Sequence, residues 1–371
     1  MQAEICPRIN LYSNTVMKRT MFISMLAAAL VGGQVFAADA ILTKVEGATR
    51  ISNSYYGVRN TSGEANGANV TVSASETGDD LNRVNVYGGN ASTEASNNKI
   101  TMTGGQVQSL YGAQGNTTVS GNTVIMTEGI VSSSLRGGHS IADKTELVTP
   151  LVEKNVVIVA GDCELGSVYG GYSSHGYAKD NKVYLVGKGA TATITDAQGI
   201  TKTYDGGTIS VKQVRAGEGD SNLDNNSIGN SIDIYGTGIT ASGYVKDMQI
   251  LNFHISQNQI GGEDSMLTLT TYGMDLTNVT IGIQDVNVDV QAWTTGTTVT
   301  LVQTKKVITG IESGQEVNIK QGDQVVAQGK LVLSDDNMTL SLSIPGSVPE
   351  PTTGTLGLLA LGLLAGRRSK K

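Results

Sequence analysis

The sequence predicts an all-β fold: a right-handed parallel β-helix with coils of about 24 residues, followed by an antiparallel, sandwich-like or capping β region. Three observations predict it. Glycine supplies 47 of 371 residues, while three Phe, one Trp and three His leave few aromatic anchors and few neutral-pH proton carriers. Short segments alternate apolar and polar residues with the period of two that a strand requires. The same short phrase then returns at nearly fixed spacing, as expected of stacked units that cannot bury an apolar face alone.

The phrase is Asn, any residue, an aliphatic, any residue, an aliphatic or Met. It occurs at Asn98 with Ile100 and Met102, Asn122 with Val124 and Met126, Asn155 with Val157 and Val159, Asn181 with Val183 and Leu185, and Asn230 with Ile232 and Ile234. Each Asn lies at even offset from its apolar partners and so shares their side, where its amide can bond the equivalent Asn one coil away. A second phrase, an aliphatic then Tyr or Arg then small residues, is centred on Tyr87, Tyr111, Arg136, Tyr169 and Arg215. Successive spacings are 24, 25, 33 and 46 residues. The third carries extra chain around Asp143 to Lys154. The fourth carries an insert near 188–207 that reads as a hairpin, Thr191 to Thr195 against Ile200 to Tyr204, standing off the stack. A unit of this length is too short for a propeller blade and has no helical segment for a leucine-rich repeat.

From about residue 245 the period is lost while alternation persists, as in Val286, Val288 and Val290 or Leu340, Leu342 and Ile344. That pattern predicts an antiparallel sandwich or a strand-rich cap, since an open last coil invites edge pairing. The expected organisation is a signal peptide over 1–37, repeats with an N-terminal cap over 38–244, a β-rich domain or cap over 245–345, and a sorting tail over 346–371.

Both ends read as addresses. Met17, the expected true start, precedes Lys18 and Arg19 and an eleven-residue apolar stretch, Met21 to Val31. Val35 and Ala37 provide the small side chains that signal peptidase needs three and one residues before its cut, so Ala38 should begin the mature chain. Eleven helical residues reach about 17 Å, too short for a bilayer core. At the far end, Val348, Pro349, Glu350 and Pro351 precede an apolar run from Leu356 to Gly366 and a basic stop opened by Arg367 and Arg368.

This tail resembles the PEP-CTERM sorting signal of Gram-negative bacteria. The resemblance implies processing near Pro349, Glu350 and Pro351 by the membrane enzyme exosortase, with transient or retained inner-membrane anchoring and display on the outer surface or in an exopolysaccharide matrix. The body, over roughly 69–244, is similar to the passenger regions of bacterial autotransporters.

Charge and chemistry narrow the function. The chain carries −7, and loss of residues 1–37 and of the tail's Arg367, Arg368, Lys370 and Lys371 leaves 19 basic against 32 acidic residues, a surface that repels nucleic acid. Cys163 would be the lone thiol of the mature region, held inert between Asp162 and Glu164. His139, His175 and His254 form no metal spacing. Asp220, Asn222 and Asp224 begin like a calcium loop, but Asn225 stands where glycine is needed and Ser231 where the bidentate Glu belongs. No cofactor and no catalytic set is expected. The candidate binding surface is the column Tyr87, Tyr111, Arg136, Tyr169 and Arg215, whose rings and guanidinium groups suit exopolysaccharide or host glycans, or stack on one another to stabilise the coils. The reading is therefore an exported structural or adhesin-like surface protein. The alternative is a polysaccharide lyase or glycoside hydrolase on the same scaffold, an argument from fold analogy.

Overall fold

A computed structural model describes residues 42–142, 149–286, 288 and 298–344. The described chain is all-β, with a single short 3-10 turn at Gln257–Gln259. Its strands form one 22-stranded sheet, a 5-stranded sheet and a 2-stranded sheet.

The repeats pair side by side, parallel and in register. Lys99–Gly115 pairs with Thr123–Ser140, which pairs with Val156–Ser173, which pairs in turn with Lys182–Val186 and Thr201–Glu218. The alternation seen in the sequence thereby becomes inward columns. Val70, Ile100, Val124, Val157, Val183, Ile232 and Leu251 are mutual neighbours and fully buried. Another column runs through Val86, Leu110, Leu135, Val168, Val214 and Val245. Its members are at most 3% exposed. Since neighbouring strands lie about 4.8 Å apart, each aliphatic side chain covers the one beneath it, and no repeat could bury these groups alone.

The corners are built around asparagine. Asn98, Asn122, Asn155, Asn181 and Asn230 are all fully buried. Each of the first four donates from Nδ2 to Oδ1 of the next, at 3.0, 2.9, 2.9 and 3.1 Å. Their backbone N–H groups donate to the same oxygens. The second Nδ2 hydrogen goes to a backbone carbonyl, as from Asn155 to Val119 at 3.0 Å. A buried amide is tolerated here because both its donors and its acceptor are satisfied. The residue before each ladder Asn is left-handed in every repeat: Asn97, Gly121, Lys154, Asp180 and Gly229. This turns the chain sharply into the following strand. The glycines of the second phrase have a matching role, since a Cβ on Gly138 would lie 2.6 Å from Nδ2 of Asn155.

The insert near 188–207 is the expected hairpin, with Thr191–Thr195 antiparallel to the start of Thr201–Glu218. It does not stand free. Ala192, Ile194 and Tyr204 pack on Ile125, Ile158, Val186 and Tyr235, the outward side chains of four repeats. This cover explains why Val156 to Ala160 is apolar on both faces. The tip reaches back along the stack, where Lys99 pairs with Asp196 at 2.6 Å and Gln198 bonds Thr123 and the Gly121 carbonyl at 2.7 Å.

The change in pairing comes later than the expected boundary at 244/245. Ile250–Ser256 pairs parallel with Ser231–Tyr235, and Thr280–Val286 pairs parallel with Ile250–Ser256. Antiparallel pairing takes over among Thr298–Thr304, Gln315–Gln321, Gln324–Leu333 and Thr339–Ser343. Loops of unequal length erase the sequence period between 257 and 280, and strand alternation alone does not distinguish parallel from antiparallel partners.

Candidate functional site

The parallel register brings Tyr87, Tyr111, Arg136, Tyr169 and Arg215 into one column, and extends it at the two ends with Tyr56 and Lys246. Three residues further along each strand a second column runs beside it: Arg59, Asn90, Gln114, His139, Tyr172 and Glu218. The two columns engage each other. Tyr56, Tyr87 and Tyr111 stack nearly parallel at 5.0 and 4.8 Å between centroids, and His139 stacks on Tyr111 at 5.5 Å. The Arg136 guanidinium lies 5.5, 5.0 and 4.3 Å from the rings of Tyr111, Tyr169 and Tyr172. Arg215 pairs with Glu218 and, at 3.5 Å, with Asp247.

Of the two readings of the column, this arrangement supports mutual stacking over a sugar platform. Ring faces that stack on one another are not open to a pyranose, and the guanidinium groups are engaged by rings and carboxylates of the same protein. Tyr87 and Tyr169 are only 9% and 7% exposed. Burial pushes the Tyr87 hydroxyl well above the usual phenol range, with the neighbouring tyrosines adding to the shift. Burial, with Arg136 beside it, lowers His139 to about 3. The column's side chains thus contact one another along the stack.

The other candidates resolve in turn. Oδ1 of Asp220 accepts from the backbone N–H and Nδ2 of Asn222, at 2.9 and 2.6 Å, so this Asn-rich segment is a self-bonded turn. Asp224 is exposed. Among the described residues no group of three His, Cys, Asp or Glu is placed to hold a metal. Cys163 is buried, donates to the Ala160 carbonyl at 3.1 Å, and is held far above the usual thiol range by burial and by Asp162. Nδ1 of His175 lies 4.0 Å from Asp220.

Sequence reasoning missed the most chemically organised cluster. Asp233 stands on the outward face of Ser231–Tyr235, between strands whose in-register outward positions hold Tyr184 and Asn252. Its carboxylate accepts from Nδ2 of Asn252 at 2.9 Å and from Oγ of Ser231 at 3.1 Å, and bonds Nε2 of His254 at 2.9 Å. The imidazole stacks on Tyr235 at 3.8 Å between centroids. Beside it a cavity of about 240 Å³ opens between Gly189–Thr191 at the hairpin base and Ser256–Asn258, with Val286 at one wall. A carboxylate on Nε2 fixes the neutral imidazole as the Nε2–H tautomer, with Nδ1 as an acceptor. The signal was available: parallel register places the polar residues of Ser231-Ile-Asp-Ile-Tyr235 and Asn252-Phe-His254 on one outer face.

The terminal addresses, Val35, Ala37 and Ala38 at one end and Val348, Pro349, Glu350, Pro351, Arg367 and Arg368 at the other, lie outside the described residues. Residues 347–371 match the PEP-CTERM protein-sorting motif. This motif indicates an exported, cell-envelope-associated protein sorted by exosortase, a membrane enzyme. It covers the tail and leaves the β body unassigned. No curated protein and no solved structure matches the chain. Among the described residues no helix is long and apolar enough to cross a membrane.

Proposed function

We propose that the chain is a non-catalytic structural component of the outer surface or extracellular matrix of a Gram-negative cell, built as a right-handed parallel β-helix and delivered by its tail. Signal peptidase would open the mature chain at Ala38, and exosortase would act at Pro349, Glu350 and Pro351. The observation that carries the reading is the coupling of a sorting motif at 347–371 to a body of self-satisfied parallel repeats. The stack suits display: it lengthens by adding laps, and its buried asparagine and aromatic columns hold it together without disulfides. Glycan contact along the Tyr and Arg column forms no part of this proposal, because those side chains are engaged with one another.

A lyase or hydrolase on this scaffold has less support. Glycoside hydrolysis calls for two carboxyl groups facing each other across a cleft, typically about 5 to 9.5 Å apart. Asp233, the carboxylate next to the cavity, is tied to three partners, and among the described residues no carboxylate lines that cavity.

Expression in a host containing exosortase tests the proposal. Mass measurement of the recovered protein should show a start at Ala38 and loss of the basic end, and deletion of 347–371 should move the protein from the envelope into the medium. Unchanged envelope retention without the tail, or product release from polysaccharides by the purified body, would overturn it.

A further inference from the structure

The cavity beside His254 invites a ligand that the columns cannot take. Six of its lining residues carry polar side chains: Thr191, Tyr235, His254, Ser256, Gln257 and Asn258. Among the described residues that line it none is a lysine, an arginine or a carboxylate, so nothing in the described lining favours a phosphate, a uronate or a metal cation. Its volume of about 240 Å³ falls below the roughly 300–1,000 Å³ of drug-sized sites, which limits the occupant to one small ring. Nε2 of His254 is taken by Asp233, one ring face by Tyr235, and the in-register position on the other side by Gln284, leaving Nδ1. Among the described residues Nδ1 has no hydrogen-bond partner. It offers an acceptor held in a fixed direction; the Thr191 and Ser256 hydroxyls, which donate to Asp205 at 3.0 Å and Gln259 at 2.8 Å, can still accept, and the exposed Asn258 amide can donate or accept.

We propose that this cavity binds a single neutral pyranose, such as the terminal unit of a polysaccharide, with a sugar hydroxyl donating to Nδ1 of His254 and the ring lying between the hairpin base and the Ser256–Asn258 turn. The elements that form it support this assignment. The hairpin is fixed to the stack by Ala192, Ile194 and Tyr204, so one wall is preorganised and little ordering is required on binding. Asp233, held by Asn252 and Ser231, fixes the imidazole and does not itself line the cavity. The site is independent of how the tail is processed.

Saturation-transfer NMR on the intact mature body with the methyl glycosides of glucose, galactose and mannose tests the proposal. At least one should bind, with a dissociation constant on the order of millimolar as expected for a single sugar. Nitrogen NMR of labelled histidine should show the Nδ1 resonance of His254 moving during the titration. His254→Ala should weaken binding at least about tenfold, the loss of roughly 1.4 kcal/mol. Asn258→Ala, at an exposed position of the lining, should weaken it about threefold, a partial loss of the same kind. Absence of transfer to all three glycosides, or transfer unchanged in both variants, would overturn the proposal. So would preferential binding of an uncharged nucleoside, which would make the ring site aromatic in its selectivity.

Discussion

Nδ2 of Asn122 donates to Oδ1 of Asn155 at 2.9 Å, and the backbone N–H of Asn122 donates to the same oxygen at 3.0 Å. One carboxamide thus satisfies a side chain and a backbone group of the neighbouring repeat while its own Nδ2 serves Asn181 and Val119. Removing it orphans several buried groups together, each costing about 1–3 kcal/mol. Asn155→Ala should therefore destabilise the body by about 3–6 kcal/mol in urea unfolding. Asn155→Asp should do no better, because a carboxylate cannot donate. A loss under about 1 kcal/mol would show that the ladder is incidental.

The Arg136 guanidinium sits among Tyr111, Tyr169 and Tyr172, so its contribution depends on planarity and charge together. Arg136→Met keeps an unbranched apolar stem and removes both. The expected loss is about 1–2 kcal/mol in the denaturant midpoint, with no change in slope. An unchanged midpoint would mean that the rings alone hold the column.

His139 should make the fold acid-sensitive. The free imidazole takes its proton near 6.5, whereas burial delays protonation in the folded chain to about 3. Between those values the unfolded state binds more protons, so stability is fully present above pH 6.5 and falls as the pH drops toward 3. The slope attributable to this one group approaches about 1.4 kcal/mol per pH unit. His139→Gln places there the side chain found in register at Gln114 and should flatten the loss between pH 6 and pH 4. Parallel melting curves of the two proteins across that range would contradict the assignment.

Lys99 and Asp196 join a repeat strand to the tip of the inserted hairpin at 2.6 Å, with side chains 14% and 1% exposed. Deleting one partner of a buried pair leaves an uncompensated charge. Lys99→Met should therefore cost about 3 kcal/mol, and adding Asp196→Asn should recover much of it. A double-mutant cycle with no coupling would show that the hairpin is held by Ile194 and Tyr204 alone.

Much of this was legible in the sequence. Period-two alternation located the strands, the spacing of Tyr87 and Tyr111 fixed the register, and even offset put the asparagines on the buried side. What escaped detection depends on partners distant in sequence. The left-handed residue before each ladder Asn varies among Asn, Gly, Lys and Asp, so no single residue type marks it. The docking of the hairpin depends on outward apolar residues from four repeats, and the Asp233 cluster on polar residues from neighbouring strands. The fate of the aromatic column was open because a Tyr that stacks on a sugar and a Tyr that stacks on a Tyr look alike in sequence.

The central claim is that consecutive repeats lie parallel and in register, and disulfide trapping tests it most directly. Asn90 and Gln114 are register partners on adjacent repeats, whereas His139 lies one repeat beyond Gln114 in the same column. Neighbouring strands are about 4.8 Å apart, inside the reach of a disulfide, and a two-repeat gap is about twice that and outside it. Under mild oxidation, Asn90→Cys with Gln114→Cys should cross-link within the folded chain and Asn90→Cys with His139→Cys should not. Equal cross-linking of the two pairs, or none in the first, would contradict the stacked arrangement.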